Sequence, residues 1–371
     1  MKVLFISHQA RNTGAPLALL QELRIVQNAC VDIIPIVLLF EEGSLSDKFR
    51  EICSVWVYNR WYMRLLRKLR LQSLFFRFQQ IDCIYANTVA TIGVANEIKG
   101  KSQIPIIAHI HESESLAKRY IPNRDGLVRV SKFITVSDFS ANNLIDYYGV
   151  KKNQIIIQHP FSPWIEPFLE NQLTVCDVNL GVSKDTFIIG CFCNGIWQKS
   201  PDLLPLVVNN LFKKYPDINC KFVIIGLDEK SDVLYHLKYD LYRLNILDKI
   251  IFVGNVNNPL DYHASFDVHL LLSREDSFPL VVEEAALLRK PTVGFKRATG
   301  AEEWIREECG IFVPYLDIDL LVEALYKMYS DEALRKKKGN AAYDAIKEMY
   351  EKEASLSNVL QTILCINNKN E

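Results

Sequence analysis

The chain lacks a charge excess, a long apolar run and a paired-cysteine motif, and each lack closes a class of function. Its 43 Lys and Arg stand against 44 Asp and Glu, a formal charge of −1 over 371 residues. A general nucleic-acid binder carries a basic surplus, so no nucleic-acid partner is expected. An acidic disordered chain is excluded too, because 49% of the residues are hydrophobic. The longest apolar run, residues 33–40, contains Pro35 and falls far short of the ~20 residues of a spanning helix. Met1-Lys2 leads straight into Val-Leu-Phe-Ile with no cleavage site after it, which reads as a first strand. Nine cysteines at 30, 53, 83, 176, 191, 193, 220, 309 and 365 form no C-x-x-C pair, so reduced, mostly buried thiols are expected. Cys191 and Cys193 share one strand face, but with no second pair they make a poor metal site. G-x-G-x-x-G and G-x-S-x-G are both absent, which leaves a dinucleotide enzyme and a serine hydrolase unsupported. A cytoplasmic globular protein is expected.

What is present is alternation. Short β-branched runs at 2–7, 32–39, 82–85, 105–111, 133–136 and 154–158 are separated by helical periodicity, clearest at 16–28, 61–80 and 138–148. The pattern restarts with runs at 187–193, 220–225, 250–253, 268–272 and 291–294. Strict alternation means βαβ units, so the expectation is α/β, with two Rossmann-like, doubly wound parallel-sheet domains facing a central cleft. Residues 160–171, with three prolines, are the hinge. This divides the chain into 1–165 and 166–352, with a C-terminal helix in 353–371 able to pack back on the first domain. Open parallel sheets bind ligands beyond the carboxyl ends of their strands, and there the site is expected.

The most informative segment is Ser273-Arg-Glu-Asp-Ser-Phe-Pro-Leu-Val-Val-Glu-Glu-Ala-Ala286, which leaves one strand and opens a helix at Pro279. The amides of Leu280 and Val281 would face an anion from the helix N-terminus. Acids on both sides of the turn suit a ligand with hydroxyls beside its phosphates, because a carboxylate accepts two hydroxyl hydrogens at once. A nucleotide-sugar has that shape. A helix start with acids favoured by the dipole explains the same residues without a ligand.

The segment resembles the signature of the retaining family-four glycosyltransferases of the GT-B fold, two acids seven residues apart around a Phe-Gly or Phe-Pro turn. Glu275 with Glu283 and Asp276 with Glu284 both fit the spacing; the family's phasing of Phe and Ala selects Asp276, Phe278, Glu284 and Ala285. The resemblance implies that Glu284 holds the ribose hydroxyls, that Asp276 faces the donor sugar, and that Ser277 and Phe278 line the donor site. Residues 2–7 with His8 and Thr13-Gly-Ala-Pro16 resemble the family's first strand and its Gly-containing loop, where Gly14 lets backbone approach the diphosphate. Trp197-Gln-Lys-Ser-Pro-Asp-Leu203 resembles the diphosphate-binding stretch, so Lys199 is implied to neutralise the leaving phosphate. His111 resembles the histidine that contacts the donor sugar. Phe252-Val-Gly-Asn-Val256 resembles the turn that holds the base through Gly254 and Val256. Thr299-Gly-Ala-Glu-Glu303 resembles the loop closing the far side.

Two positions depart from the family. Asp276 stands where Glu is usual, and Asn194 and Gln198 occupy the places where an Arg usually accompanies the lysine. The resemblance therefore implies a metal-independent glycosyltransferase that moves a sugar from a UDP-, GDP- or ADP-sugar to a glycan, lipid-linked or small-molecule acceptor, with His111, Asp276 and Lys199 at the reacting centre and no cofactor. A catalytically degenerate GT-B protein acting as a nucleotide-sugar-binding or scaffolding module is the alternative.

Three further features need a reading. Asp317-Ile-Asp319 matches a metal-binding D-x-D pattern, but the helical run behind it makes capping the better account. Arg335-Lys-Lys-Lys338 reads as a solvated helix face. Residues 52–81 contain no acid, yet carry Arg60, Arg64, Arg67, Lys68, Arg70 and Arg77. On one continuous helix these cover half the circumference, with Trp61, Leu65, Leu69 and Phe76 opposite. Either the apolar side packs on the core beneath a solvated basic face, or the helix meets an anionic membrane surface or a lipid-diphosphate acceptor at the membrane's inner face.

Overall fold

The computed structural model describes residues 1–11, 13–29, 32–69, 71–353 and 358–367, excepting the side chains of 67, 73 and 367. Cys30, Arg70, residues 354–357 and the Arg67 side chain, all named above, lie outside the described residues. The chain divides into two compact units, 1–160 with 356–371, and 161–355.

Unit 1 holds seven strands: β1 (Lys2–Ser7), β2 (Ile34–Leu39), β3 (Ser54–Val57), β4 (Cys83–Ala86), β5 (Ile106–Ile110), β6 (Lys132–Thr135) and β7 (Ile155–Ile157). They form one parallel sheet in the order β3-β2-β1-β4-β5-β6-β7. Unit 2 holds β8 (Phe187–Phe192), β9 (Cys220–Ile225), β10 (Ile250–Val253), β11 (Val268–Leu271), β12 (Thr292–Phe295) and β13 (Gly310–Val313), parallel in the order β10-β9-β8-β11-β12-β13. Helices cover both faces, which is why β1, β4, β5 and β12 read as apolar runs without alternation. Backbone approach is close enough in unit 2 that a Cβ on Gly190 of β8 would sit 2.0 Å from the Phe266 ring.

β3 and β13 were not legible in the sequence. Both are four-residue edge strands, and Ser54 and Gly310 open them, so each shows only three apolar residues, the central one aromatic. The expected helix over 61–80 is two helices, Trp61–Lys68 and Gln72–Phe78. On an unbroken helix Met63 and Phe76 would point about 140° apart at ~100° per residue. The break re-phases them, and both are buried in the same core. Residues 160–171 contain a short helix, Ile165–Leu169. In unit 1 the helix Asn358–Asn367 packs Val359 and Ile363 on the sheet, and the Asn358 side-chain Nδ2 donates to Ile157 O at 2.9 Å.

The basic run at 335–338 is only partly a solvated face. Lys336 pairs with Glu332 in water, whereas Arg335 donates to Met328 O at 2.7 Å and Lys338 to Gly310 O at 3.0 Å. Asp317 caps its helix, accepting from the Leu320 amide at 3.0 Å. Among the described residues the cysteines are free thiols, five of them buried. No helix among them is long and apolar enough to cross a membrane.

Candidate functional site

In unit 2 the strand order reverses between β8 and β11, neighbours whose crossovers run to opposite sides. In open parallel sheets this switch point, beyond the carboxyl ends of the strands, is where ligands bind. The loop after β8 carries Lys199 at the end of a single turn, Trp197–Lys199; Ser200, at φ 55°, then reverses the chain. The loop after β11 carries Asp276. The Lys199 ammonium donates to the Asp276 carboxylate, and both remain partly open, with side chains 25% and 12% exposed. Two residues 77 apart in sequence thus form one ion pair at the switch point.

Backbone bonds hold the two loops in place. The Arg274 amide donates to Gln198 O at 2.8 Å, tying the loop after β11 to the Lys199 turn. The Arg274 guanidinium grips Asp202 with two bonds of 2.7 Å and lies 5.6 Å from the Trp197 ring. On the other side the Asp276 amide donates to Ala298 O at 2.8 Å, and the Gly300 amide to Asp276 O at 3.0 Å. The 299–303 segment, named above only as a loop, is therefore the strut that fixes Asp276.

Ser277 and Phe278 are buried, and Pro279 is the N-cap of the helix Leu280–Leu287 rather than its first residue. Leu280 and Val281 are half-buried at the amino end, where helix amides have no partner inside the helix. Glu283 and Glu284 are both buried and share Ser162: its amide donates to Glu283 at 2.7 Å and its hydroxyl to Glu284 at 2.8 Å. Burial pushes the Glu283 carboxyl well above the usual range, and lifts Glu284 to about 7 against the lowering effect of the Ser162 bond. The other Glu284 oxygen faces His263 Nε2 at 3.7 Å; burial drives that imidazole down to about 3, so it is neutral. Glu284 is thus more enclosed than a residue open along a cleft wall.

The remaining predicted positions of this unit lie at strand ends. Gly254 follows β10, and its carbonyl accepts from the Gly226 amide at 3.0 Å; Gly226, at φ 98°, supplies the turn after β9. Val256 packs against the buried Ile188, Val223, Ile225 and Phe266. Asn194 is exposed, and its side chain accepts from the Ile196 amide.

Unit 1 reverses its strand order between β1 and β4, and here too polar side chains gather. His8 follows β1, Asn87 and Thr88 follow β4, and His111 and Glu112 follow β5. His111 Nε2 lies 3.1 Å from Asn87 Oδ1, His8 Nδ1 lies 3.2 Å from Thr88 Oγ1, and the Asn87 amide donates to Ala15 O at 2.9 Å. Burial, then repulsion from His8, lowers His111 to about 3, so it is a neutral ring whose Nε2–H points at Asn87. His109 is core: it bonds Tyr85 Oη at 2.5 Å and lies 4.0 Å, centroid to centroid, from His111. Glu112 accepts the amides of Val89 and His111, and burial lifts it to about 7. A Cβ on Gly14 would meet nothing within 4 Å, so internal packing does not demand a glycine there. Among the described residues no three metal-ligating side chains converge.

Of the basic residues, Arg60 lies 3.6 Å from Glu42, and Arg64 and Lys68 are exposed. Sequence reasoning missed Ser162, His263, Asn87, Thr88 and Arg274. Only Asn87 and Thr88 carried a signal, their place just past a strand at a switch point.

Comparison with known proteins gives one answer. Residues 179–345 match the family Glycosyl transferases group 1, and residues 37–161 match Glycosyltransferase Family 4. An uncharacterized glycosyltransferase of Haemophilus influenzae is 32% identical over 128 residues, 34% of this chain and 35% of that protein. N-acetyl-alpha-D-glucosaminyl L-malate synthase of Bacillus anthracis is 26% identical over 314 residues, covering 76% of this chain and 78% of that one. Anabaena HepE, solved in complex with UDP-glucose, superposes with a TM-score of 0.70 at 20% identity over 96% of this chain and 100% of that one. With two parallel α/β sheets of the GT-B kind, and both matched families describing glycosyltransferases, the chain belongs to the family-four, group 1 glycosyltransferases.

Proposed function

We propose that this glycosyltransferase takes a nucleotide-sugar donor in unit 2 and transfers the sugar, with retained anomeric configuration, to a glycan, lipid-linked or small-molecule acceptor. The observation that carries the reading is the Lys199–Asp276 pair at the β8/β11 switch point. A diphosphate entering there takes the lysine's charge, and Asp276, released, turns to hydroxyls of the donor sugar. The amides of Leu280 and Val281 add fixed dipoles toward the same phosphates. Glu284, when ionised, accepts the ribose hydroxyls. The complexes of Anabaena HepE with UDP-glucose, with UDP and glucose, and with UDP support a donor of this class.

On this reading the transfer is front-face. The bond between the anomeric carbon and the diphosphate oxygen breaks while the acceptor oxygen bonds that carbon from the same face. The acceptor's proton passes to the departing phosphate oxygen. Lys199 stabilises charge that grows as the diphosphate leaves, so it acts more on the transition state than on the bound donor. The reading needs no resident metal or cofactor. His111, neutral, can donate to or accept from a sugar hydroxyl if its bond to Asn87 is exchanged. A place at the inner face of an anionic membrane is part of the same reading, supported by the acid-free basic segment 52–81.

A second reading, binding without turnover, is favoured by one observation. The guanidinium nearest the Lys199 loop is locked on Asp202, so it is not free to share the diphosphate. Thermal-shift screening against UDP, GDP, ADP and their sugars identifies the donor. Proton spectroscopy of the product with candidate acceptors then gives the anomeric configuration. An inverted product refutes the retaining mechanism, and binding with no sugar release favours the second reading.

A further inference from the structure

Unit 2 also holds a cavity of about 510 Å³ beside its edge strand β13, walled on one side by Ile311 and Phe312 of that strand. The volume is that of a small-molecule site. None of Lys199, Asp276, Leu280 and Val281 lines it, and β12 stands between β13 and β11, so it lies apart from the switch point. Four cations from four places in the chain converge on it. Lys296 comes just past β12, Arg306 from the loop before β13, Lys327 from the helix Ile318–Ser330 and Lys338 from the helix Glu332–Glu353. Lys338 is fixed there, giving two of its three ammonium hydrogens to the carbonyls of Glu307 and Gly310. The side chains of Lys296, Arg306 and Lys327 form no ion pair or hydrogen bond among the described residues. Of the two carboxylates in the wall, Glu302 is occupied with the Ala298 amide at 3.3 Å, and Glu307 is exposed. Burial, then repulsion from Lys327, holds the Lys338 ammonium below its usual range, so like charges face one void.

We infer that this cavity binds a small phosphorylated sugar, at a site separate from the donor's. The Arg306 guanidinium offers a planar fork to two phosphate oxygens, and the lysines add point charge around it. Glu302 and Glu307 can accept sugar hydroxyls, and Ile311 and Phe312 give the carbon skeleton an apolar wall. A bare inorganic ion would leave the carboxylates and that wall unused. Lysines along an edge strand also keep it from pairing with another chain, and Lys338, bonded to Gly310 O, does that for β13. Arg306 and Lys327 make no such bond to the strand, so guarding the edge does not account for them. The inference stands apart from the donor reading, because binding here requires neither Lys199 nor Asp276.

The test is calorimetric titration of the full chain with fructose 1,6-bisphosphate, whose two phosphates can share four cations, and separately with inorganic phosphate. Saturable binding of the bisphosphate is expected, at least about tenfold tighter than that of inorganic phosphate. Lys199→Ala should bind the bisphosphate as the intact chain does. Arg306→Ala with Lys327→Ala, at exposed positions that support no backbone bond, should weaken it at least about tenfold. Circular dichroism of both variants checks that the fold is kept. Absence of saturable binding overturns the inference, as does unchanged affinity in the Arg306, Lys327 double variant. Binding that Lys199→Ala abolishes would put the probe in the donor site and overturn it too, and equal affinity for inorganic phosphate would remove the sugar from the assignment. A double variant that self-associates, from an intact chain that binds no probe, would assign the charges to guarding β13 instead.

Discussion

The two switch points of the molecule share a topology and differ in electrostatics. In unit 2 the switch point between β8 and β11 holds a formal ion pair, Lys199 with Asp276, and a carboxyl, Glu284, poised near neutrality. In unit 1 the matching place between β1 and β4 holds Asn87, Thr88, the imidazoles of His8 and His111, held neutral by burial, and a carboxyl, Glu112, that burial also lifts to about 7. The same scaffold therefore presents a lysine–aspartate ion pair in one unit and neutral imidazoles in the other. Charge suits a diphosphate whose own charge grows during departure. Neutral groups suit hydroxyls, which exchange hydrogen bonds at little net cost. The difference teaches that topology gives the location of each site while the side chains just past the strands decide its chemistry.

The largest effect expected from breaking this contrast is at Lys199. Lys199→Ala should reduce turnover by about 10²–10³ with the fold retained, because the charge it supplies matters most in the transition state. Steady-state kinetics with the identified donor checks this, and a loss confined to KM would move the lysine to ground-state binding alone.

A middle-sized effect tests Glu284 by pH. Burial lifts Glu284 to about 7, and the proposed bonds from ribose hydroxyls call for its ionised form. Donor affinity should be full above 7 and fall about tenfold per pH unit below it. Glu284→Gln should be weaker throughout and flat over the same range, as read by calorimetry at several pH values. His111 itself should be silent there, since it titrates only near 3, whereas Glu112 beside it is lifted to about 7 and changes charge in the same range. The smallest effect is at that site. His111→Ala removes one neutral hydrogen-bonding group and should cost about three- to tenfold in turnover, with no new pH dependence between 5 and about 8.

Much of the architecture could be read from the chain because parallel strands buried on both faces announce themselves as apolar runs. The strands at 2–7, 220–225 and 250–253 were legible to the residue. β3 and β13 were not, because Ser54 and Gly310 open them and leave only three apolar residues, the central one aromatic. The helix at 61–80 misled for a different reason. Its periodicity placed Trp61, Leu65, Leu69 and Phe76 on one face, but the chain breaks to bury Met63 and Phe76 together, and the other three are left outside. Lys199 and Asp276 were legible because each sits in a motif, one just past β8 and the other just past β11. Ser162, which joins Glu283 and Glu284, was not, because its importance comes from contacts more than 120 residues away. Local sequence reports what a residue can do; it does not report what the fold brings beside it.

The most direct test of the central claim is calorimetric titration of a nucleoside diphosphate into the intact protein and into Lys199→Ala. The account predicts saturable one-site binding to the first, weakened by about tenfold or more in the second, since a charge-assisted bond to phosphate is lost. Equal affinity for the two proteins would contradict it and remove the diphosphate from the β8/β11 switch point.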